Sequence, residues 1–116
     1  MERLTVQEEE AMQAVWKLNG GFVKDILEEM NSNTPYTTLA STVKNLEKKG
    51  YVMHERHANA KKYLPCISQT EYKRSFMSSF VGEYFGNSYK DMVSFFAEEQ
   101  KLKPEELAEI LNMIKK

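Results

Sequence analysis

Between Thr34 and Gly50, the side chains Thr37, Thr38, Ser41, Lys44, Asn45 and Lys48 recur at three- and four-residue steps, which gathers them on one side of a helix. Short hydroxyls and one amide let a helix backbone come close to another surface and offer hydrogen bonds there. A face meant only for water usually carries more Glu and Lys. Asn45 has the donor–acceptor pair that matches an adenine edge, and the methyls of Thr37 or Thr38 can pack on thymine. Lys44, Lys48 and Lys49 are long enough to reach phosphates. A second cationic group follows, with Arg56, His57, Lys61 and Lys62 set around Ala58-Asn59-Ala60. The chemistry on offer is anion contact and base-edge reading by double-stranded DNA recognition.

Other chemistries find little support. The chain has no paired carboxylate motif, no Gly-rich phosphate loop, no Cys-x-x-Cys and no nucleophile elbow, so it does not read as an enzyme. His54 and His57 tempt a metal assignment, but residues three apart on a strand point to opposite faces. No metal or cofactor is expected. The net charge of −1 and pI of about 6.1 argue weakly against a nucleic-acid partner. Distribution matters more than the sum. Residues 1–30 carry three cations against seven anions, residues 31–70 six against two, and residues 71–116 seven against eight. The positive charge therefore sits with the polar-faced helix and the segment directly after it.

The helix that must position this face is well punctuated. Leu39, Val43 and Leu46 form its apolar stripe, with Thr34 as the expected N-cap and Pro35 at the first helical position. Lys48 and Lys49 suit the last turn, and Gly50 suits the left-handed residue beyond it. Upstream, Thr5 and Glu8 have capping-box spacing, and the helix they open buries Met12, Val15 and Trp16 before ending at Asn19-Gly20-Gly21. A short second helix carries Val23, Ile26, Leu27 and Met30 and stops at Asn31-Ser32-Asn33. Downstream, Tyr51–Arg56 and Lys61–Pro65 read as the strands of a hairpin with a basic tip.

Ser68 and Glu71 make another capping box, opening a helix that runs to about Phe85. Gly86-Asn87-Ser88 breaks the pattern, a short helix with Met92, Val93, Phe95 and Phe96 follows, and a last helix starts near Lys103-Pro104. The stripe of Tyr72, Phe76, Phe80 and Tyr84, with Phe95, Phe96, Leu107, Ile110, Leu111 and Ile114, is broader than so short a region needs for its own packing. These ten residues are expected to form the interface of a homodimer. The chain thus reads as two parts: residues 1–67, a winged-helix DNA-binding domain, and residues 68–116, a three-helix dimerisation segment. The fold class is mainly α with a small β-hairpin wing. One Cys, an acidic N-terminus and no apolar run near 18 residues fit a cytoplasmic protein.

The run from Tyr36-Thr37-Thr38-Leu39 through Leu46-Glu47-Lys48-Lys49-Gly50-Tyr51-Val52 resembles the recognition helix and wing of the penicillinase repressor and methicillin-resistance repressor family. The likeness extends through Ala14-Val15-Trp16, Ile26-Leu27-Glu28-Glu29, Lys62-Tyr63 and Leu107-Ala108-Glu109-Ile110-Leu111, in the right order along nearly the whole chain. It implies a bacterial transcriptional repressor that dimerises through its C-terminal helices and binds an inverted-repeat operator. It also implies relief of repression by a membrane sensor-protease pathway, with Ser94–Phe95 at the position matching the cleavage site. The chain departs from the family pattern at Ser94, where the family has Asn, and at Ala40 and Asn45, where well-known members place Arg. The operator read here therefore need not be theirs. Lys103 also replaces a Ser cap. A copper-responsive member would carry clustered cysteines near its C-terminus, and this chain has only Cys66. The alternative from another class is a protein-binding adaptor that keeps the winged-helix scaffold without binding DNA.

Overall fold

Thr5 opens the first helix as its sequence demands. The Thr5 backbone N–H donates to Glu8 Oε1 at 2.8 Å and the Glu8 N–H donates to Thr5 Oγ1 at 3.2 Å, which satisfies two orphan donors at once. The computed structural model describes residues 2–115. Along them run helices α1 (Val6–Leu18), α2 (Val23–Met30) and α3 (Tyr36–Lys48), strands β1 (Val52–His57) and β2 (Ala60–Pro65), and helices α4 (Gln69–Phe85), α5 (Tyr89–Glu98) and α6 (Pro104–Ile114).

Helix α3 begins one residue later than expected. Pro35 is extended, at φ −64° and ψ 148°, and serves as the cap residue, while the Thr34 hydroxyl accepts a hydrogen bond from Ser32 at 2.9 Å instead of capping. The local Ser–Thr contact competes for the side chain that the helix would have used. Gly50 takes φ +85° after the helix, as its place in the sequence requires.

The core of the first part is built from Ala11, Met12 and Val15 of α1, Ile26 of α2, Leu39, Val43 and Leu46 of α3, and Tyr51, Val52 and Tyr63 at the root of the hairpin. The turn between α1 and α2 joins the hairpin as a third, one-residue rung. Gly21 and Tyr63 exchange both backbone hydrogen bonds at 2.8 Å. Gly20, just before it, has φ +102°, and a Cβ there would lie 2.7 Å from the Tyr63 carbonyl oxygen. A single rung has no periodicity, so only the packed structure discloses it.

The chain divides into two compact units, Met1–Lys73 and Arg74–Lys116, so the first turn of α4 belongs with the first unit. Tyr72 shows why. Its ring packs 5.3 Å from Trp16 and 5.9 Å from Tyr51, its hydroxyl donates to Glu9 Oε2 at 2.6 Å, and it is buried. In the second unit the rings of Phe80 and Phe85 lie 5.8 Å apart, as do those of Phe85 and Phe95, and Val81 is fully buried. No helix among the described residues is long and apolar enough to cross a membrane.

Candidate nucleic-acid interface

Helix α3 divides cleanly by face. Leu39, Thr42, Val43 and Leu46 are buried, and the polar Thr42 is satisfied by donating to the Thr38 carbonyl at 3.0 Å. On the other side Thr37, Ser41, Lys44, Asn45 and Lys48 are exposed, with Thr38 and Ala40 half-buried at the edge. None of those five exposed side chains has a hydrogen bond or ion pair among the described residues. Their donors and acceptors face outward, uncommitted.

Lys49 does not join them. Its Nζ lies 2.6 Å from Glu8 Oε1 and 3.0 Å from the Arg3 carbonyl oxygen. Glu8 is buried, and a buried carboxylate without a partner is costly, so the nearest flexible cation is drawn onto it. Burial pushes the Glu8 carboxyl up. The bonds from Lys49 and from the Thr5 backbone outweigh it and hold the group below its ordinary value of 4.5. The expected phosphate contact from Lys49 is thus replaced by an internal ion pair, while Lys44 and Lys48 stay outside.

The hairpin register sorts the wing's cations. Val52 pairs with Pro65, His54 with Tyr63 and Arg56 with Lys61, and since Val52 and Tyr63 are buried this is the face turned to the helices. Glu55 pairs with Lys62 and His57 with Ala60 on the other face. Lys61 accordingly lines an open cleft of about 600 Å³ together with Lys44 of α3, Lys24 of α2 and the ring of Tyr36. Lys62 lines a different cleft, beside Asp25, Glu28 and Glu29. The wing tip is a two-residue turn in which Ala58 takes φ +54°.

The two histidines sit on opposite faces of β1, each with its own carboxylate. His54 Nδ1 is 2.6 Å from Glu47 Oε2, and His57 Nε2 is 3.3 Å from Glu55 Oε2, with the His57 ring edge-on to Phe22 at 5.7 Å. The described residues contain no group of three or more His, Cys, Asp or Glu that could hold a metal ion. Lys24, Thr42 and the Glu47–His54 contact escaped the sequence reading. Nothing local marks Lys24 as a neighbour of Lys44 and Lys61, because α2, α3 and the wing tip meet only in the folded unit.

Of the residues expected at a dimer interface, Tyr72 belongs instead to the core of the first unit, where Trp16, Tyr51 and Glu9 occupy it. Phe80, Phe96 and Leu107 are half-buried, while Phe76, Tyr84, Phe95, Ile110, Leu111 and Ile114 are exposed, Tyr84 at 66% and Ile114 at 73%. Ser94 and Phe95 lie inside α5, both exposed.

Three packed helices with a two-stranded wing behind the third define a winged helix-turn-helix protein. The penicillinase repressor family model matches residues 4–116, and the chain belongs to that family. It is similar to the penicillinase repressor of Bacillus licheniformis, with 23% identity over 107 residues that cover 90% of this chain and 84% of that protein. Its fold is similar to the solution structure of Bacillus licheniformis BlaI, monomeric form, in complex with the blaP half-operator. That likeness has a TM-score of 0.52 and 23% identity, covering 61% of this chain and 89% of that one.

Proposed function

We propose that this protein is a sequence-specific DNA-binding transcriptional repressor, acting in the cytoplasm as a homodimer on an inverted-repeat operator. The observation that carries the reading is the uncommitted polar face of α3, beside a cleft in which Lys24, Lys44 and Lys61 converge. In this reading residues 1–67 form the DNA-binding domain and residues 68–116 the dimerisation segment. Helix α3 lies in the major groove, where Asn45, Thr37, Thr38 and Ser41 meet base edges. Lys44 and Lys48, with Arg56, His57, Lys61 and Lys62 of the wing, supply the cationic surface for the backbone. Family membership supports the repressor role, and the relative's complex with a half-operator supports DNA as the ligand.

The exposed apolar side chains of α4, α5 and α6 support the homodimer, since such a surface is unstable facing water. Cleavage between Ser94 and Phe95, through a membrane sensor-protease pathway, is the proposed route of derepression. It rests on the position of Val93-Ser94-Phe95-Phe96 in the family's order, and α5 must unwind locally for a protease to reach the bond.

A fluorescence titration on duplex DNA against salt tests the reading. If Lys44, Lys48, Arg56 and Lys61 of each protomer each meet one phosphate, the logarithmic salt slope of the dimer is about −7. Folded protein that binds no duplex at ~50 mM salt would leave the adaptor as the better account.

A further inference from the structure

The joint between α3 and the wing turns at Gly50. The chain leaves the helix through Gly50, where an added Cβ would meet nothing within 4 Å. Backbone bonds hold it, Gly50 N–H to the Glu47 carbonyl at 3.0 Å, Tyr51 N–H to the Leu46 carbonyl at 2.9 Å and Cys66 N–H to the Tyr51 carbonyl at 2.8 Å. The wing root is anchored by buried Tyr51, Val52 and Tyr63. Past the root, β1 is exposed from Glu55 to its end, and a two-stranded hairpin has little stiffness of its own. Among the described residues one side-chain hydrogen bond joins the hairpin to α3, that between His54 Nδ1 and Glu47 Oε2 at 2.6 Å.

Glu47 is also the only acid on α3, and it lies one turn from Lys44 and next to Lys48. On a helix that meets a polyanion, a bare carboxylate repels the partner. The His54 imidazole laid on it shields that charge and makes a short bond with it. We propose that Glu47 and His54 form a strut that sets the wing against the recognition helix, both acting as positioning residues for DNA binding. The inference rests on the DNA-binding reading above.

The contact needs an imidazole on one side and a carboxylate on the other, so replacing either side chain removes it. The groups facing His54 are few. Glu47 approaches from α3, and the Tyr63 ring from β2 lies 6.0 Å away. Burial, with Glu47 and Tyr36 adding to it, pushes the Tyr63 hydroxyl up, so it stays protonated. Arg56 and Lys61 form the next pair along the same face, while Glu55 and Lys62 lie on the opposite one.

The test uses full-length protein and a duplex selected from random sequence by the wild type. Operator affinity is measured for wild type, H54Q, E47Q and E47Q/H54Q under one set of buffer and salt conditions. The strut predicts that H54Q weakens binding roughly threefold to tenfold, and that adding E47Q to it costs nothing more. With His54 in place E47Q weakens binding, and in the H54Q background it does not. The salt slope of H54Q stays at the wild-type value, unlike that of K61A, because a positioning residue surrenders no phosphate contact. An E47Q effect of equal size in both backgrounds, or a slope reduced by about one per protomer in H54Q, would overturn the proposal. Wild-type protein that selects no duplex overturns the DNA-binding reading and this role with it. The contact itself is read without DNA, from the imidazole nitrogen shifts of His54, which move in E47Q only if the strut exists in solution.

Discussion

Lys48 and Lys49 are neighbours in the chain and have opposite fates. Lys48 stays in solvent, while Lys49 is held by Glu8, 41 residues earlier. The Glu8 carboxyl is held below its ordinary value of 4.5, so its contribution to stability is complete above that pH and is lost as pH falls through the lower folded value. Lys49→Met should therefore lower the melting temperature at neutral pH, with the gap from wild type closing below about pH 4.5 in thermal scans. DNA affinity should change little, which separates Lys49 from Lys44. The wing lysines differ in the same way. Lys61→Ala should weaken binding to every duplex and reduce the salt slope by about one per protomer, whereas Lys62→Ala should have a smaller effect, measured in parallel titrations. The face of α3 was legible because its period is carried by adjacent turns. The assignment of Lys49 was not, because its partner is set by how α1 crosses α3.

At the scale of elements, every helix and both strands can be read from caps, breakers and periodicity, since these are interactions within a few residues. The start of α3 is the instructive miss. Thr34 and Pro35 fit the cap and first-turn positions by type, yet Ser32 engages Thr34 and the helix opens at Tyr36. The rung between Gly21 and Tyr63 likewise needs the wing to fold back on the α1–α2 turn. Two glycines make this testable. Gly20→Ala meets both a left-handed backbone and a contact of 2.7 Å with the Tyr63 carbonyl oxygen. It should cost about 2–3 kcal/mol in chemical denaturation. Gly50→Ala has only the dihedral to bear, at φ +85° with open space around the new methyl. Its cost should be about 1 kcal/mol. Equal losses would mean that the close approach at Gly20 relaxes freely.

At the scale of the whole molecule, the second unit is where the proposed homodimer is tested. Its helices bury Val81 and share a ring cluster around Phe80, Phe85 and Phe95, yet leave Ile110, Leu111 and Ile114 of α6 exposed. Phe80 takes part in that cluster, so α6 offers the cleaner place to test the proposed dimer. Ile110→Asp with Ile114→Asp should yield a folded protein that sediments as a monomer. Its binding to an inverted-repeat site should be weaker by ~100-fold or more, because two linked half-site contacts become one. A double variant that still sediments as a dimer would move the interface off α6.

The sequence by itself determined the elements, their apolar stripes, the cationic middle third and a family likeness strong enough to point to DNA. Those features are local or additive, so they survive without knowledge of the fold. Only the tertiary structure decided which cations face outward, that Tyr72 completes the core of the first unit, that Lys61 and Lys62 serve different clefts, and that Glu47 meets His54. Each of those outcomes depends on strand register or on contacts between segments far apart in the chain, where neighbouring residues carry no record of the partner. The polar face of α3 was visible from the start; the wing that frames it took its position only when the chain closed on itself.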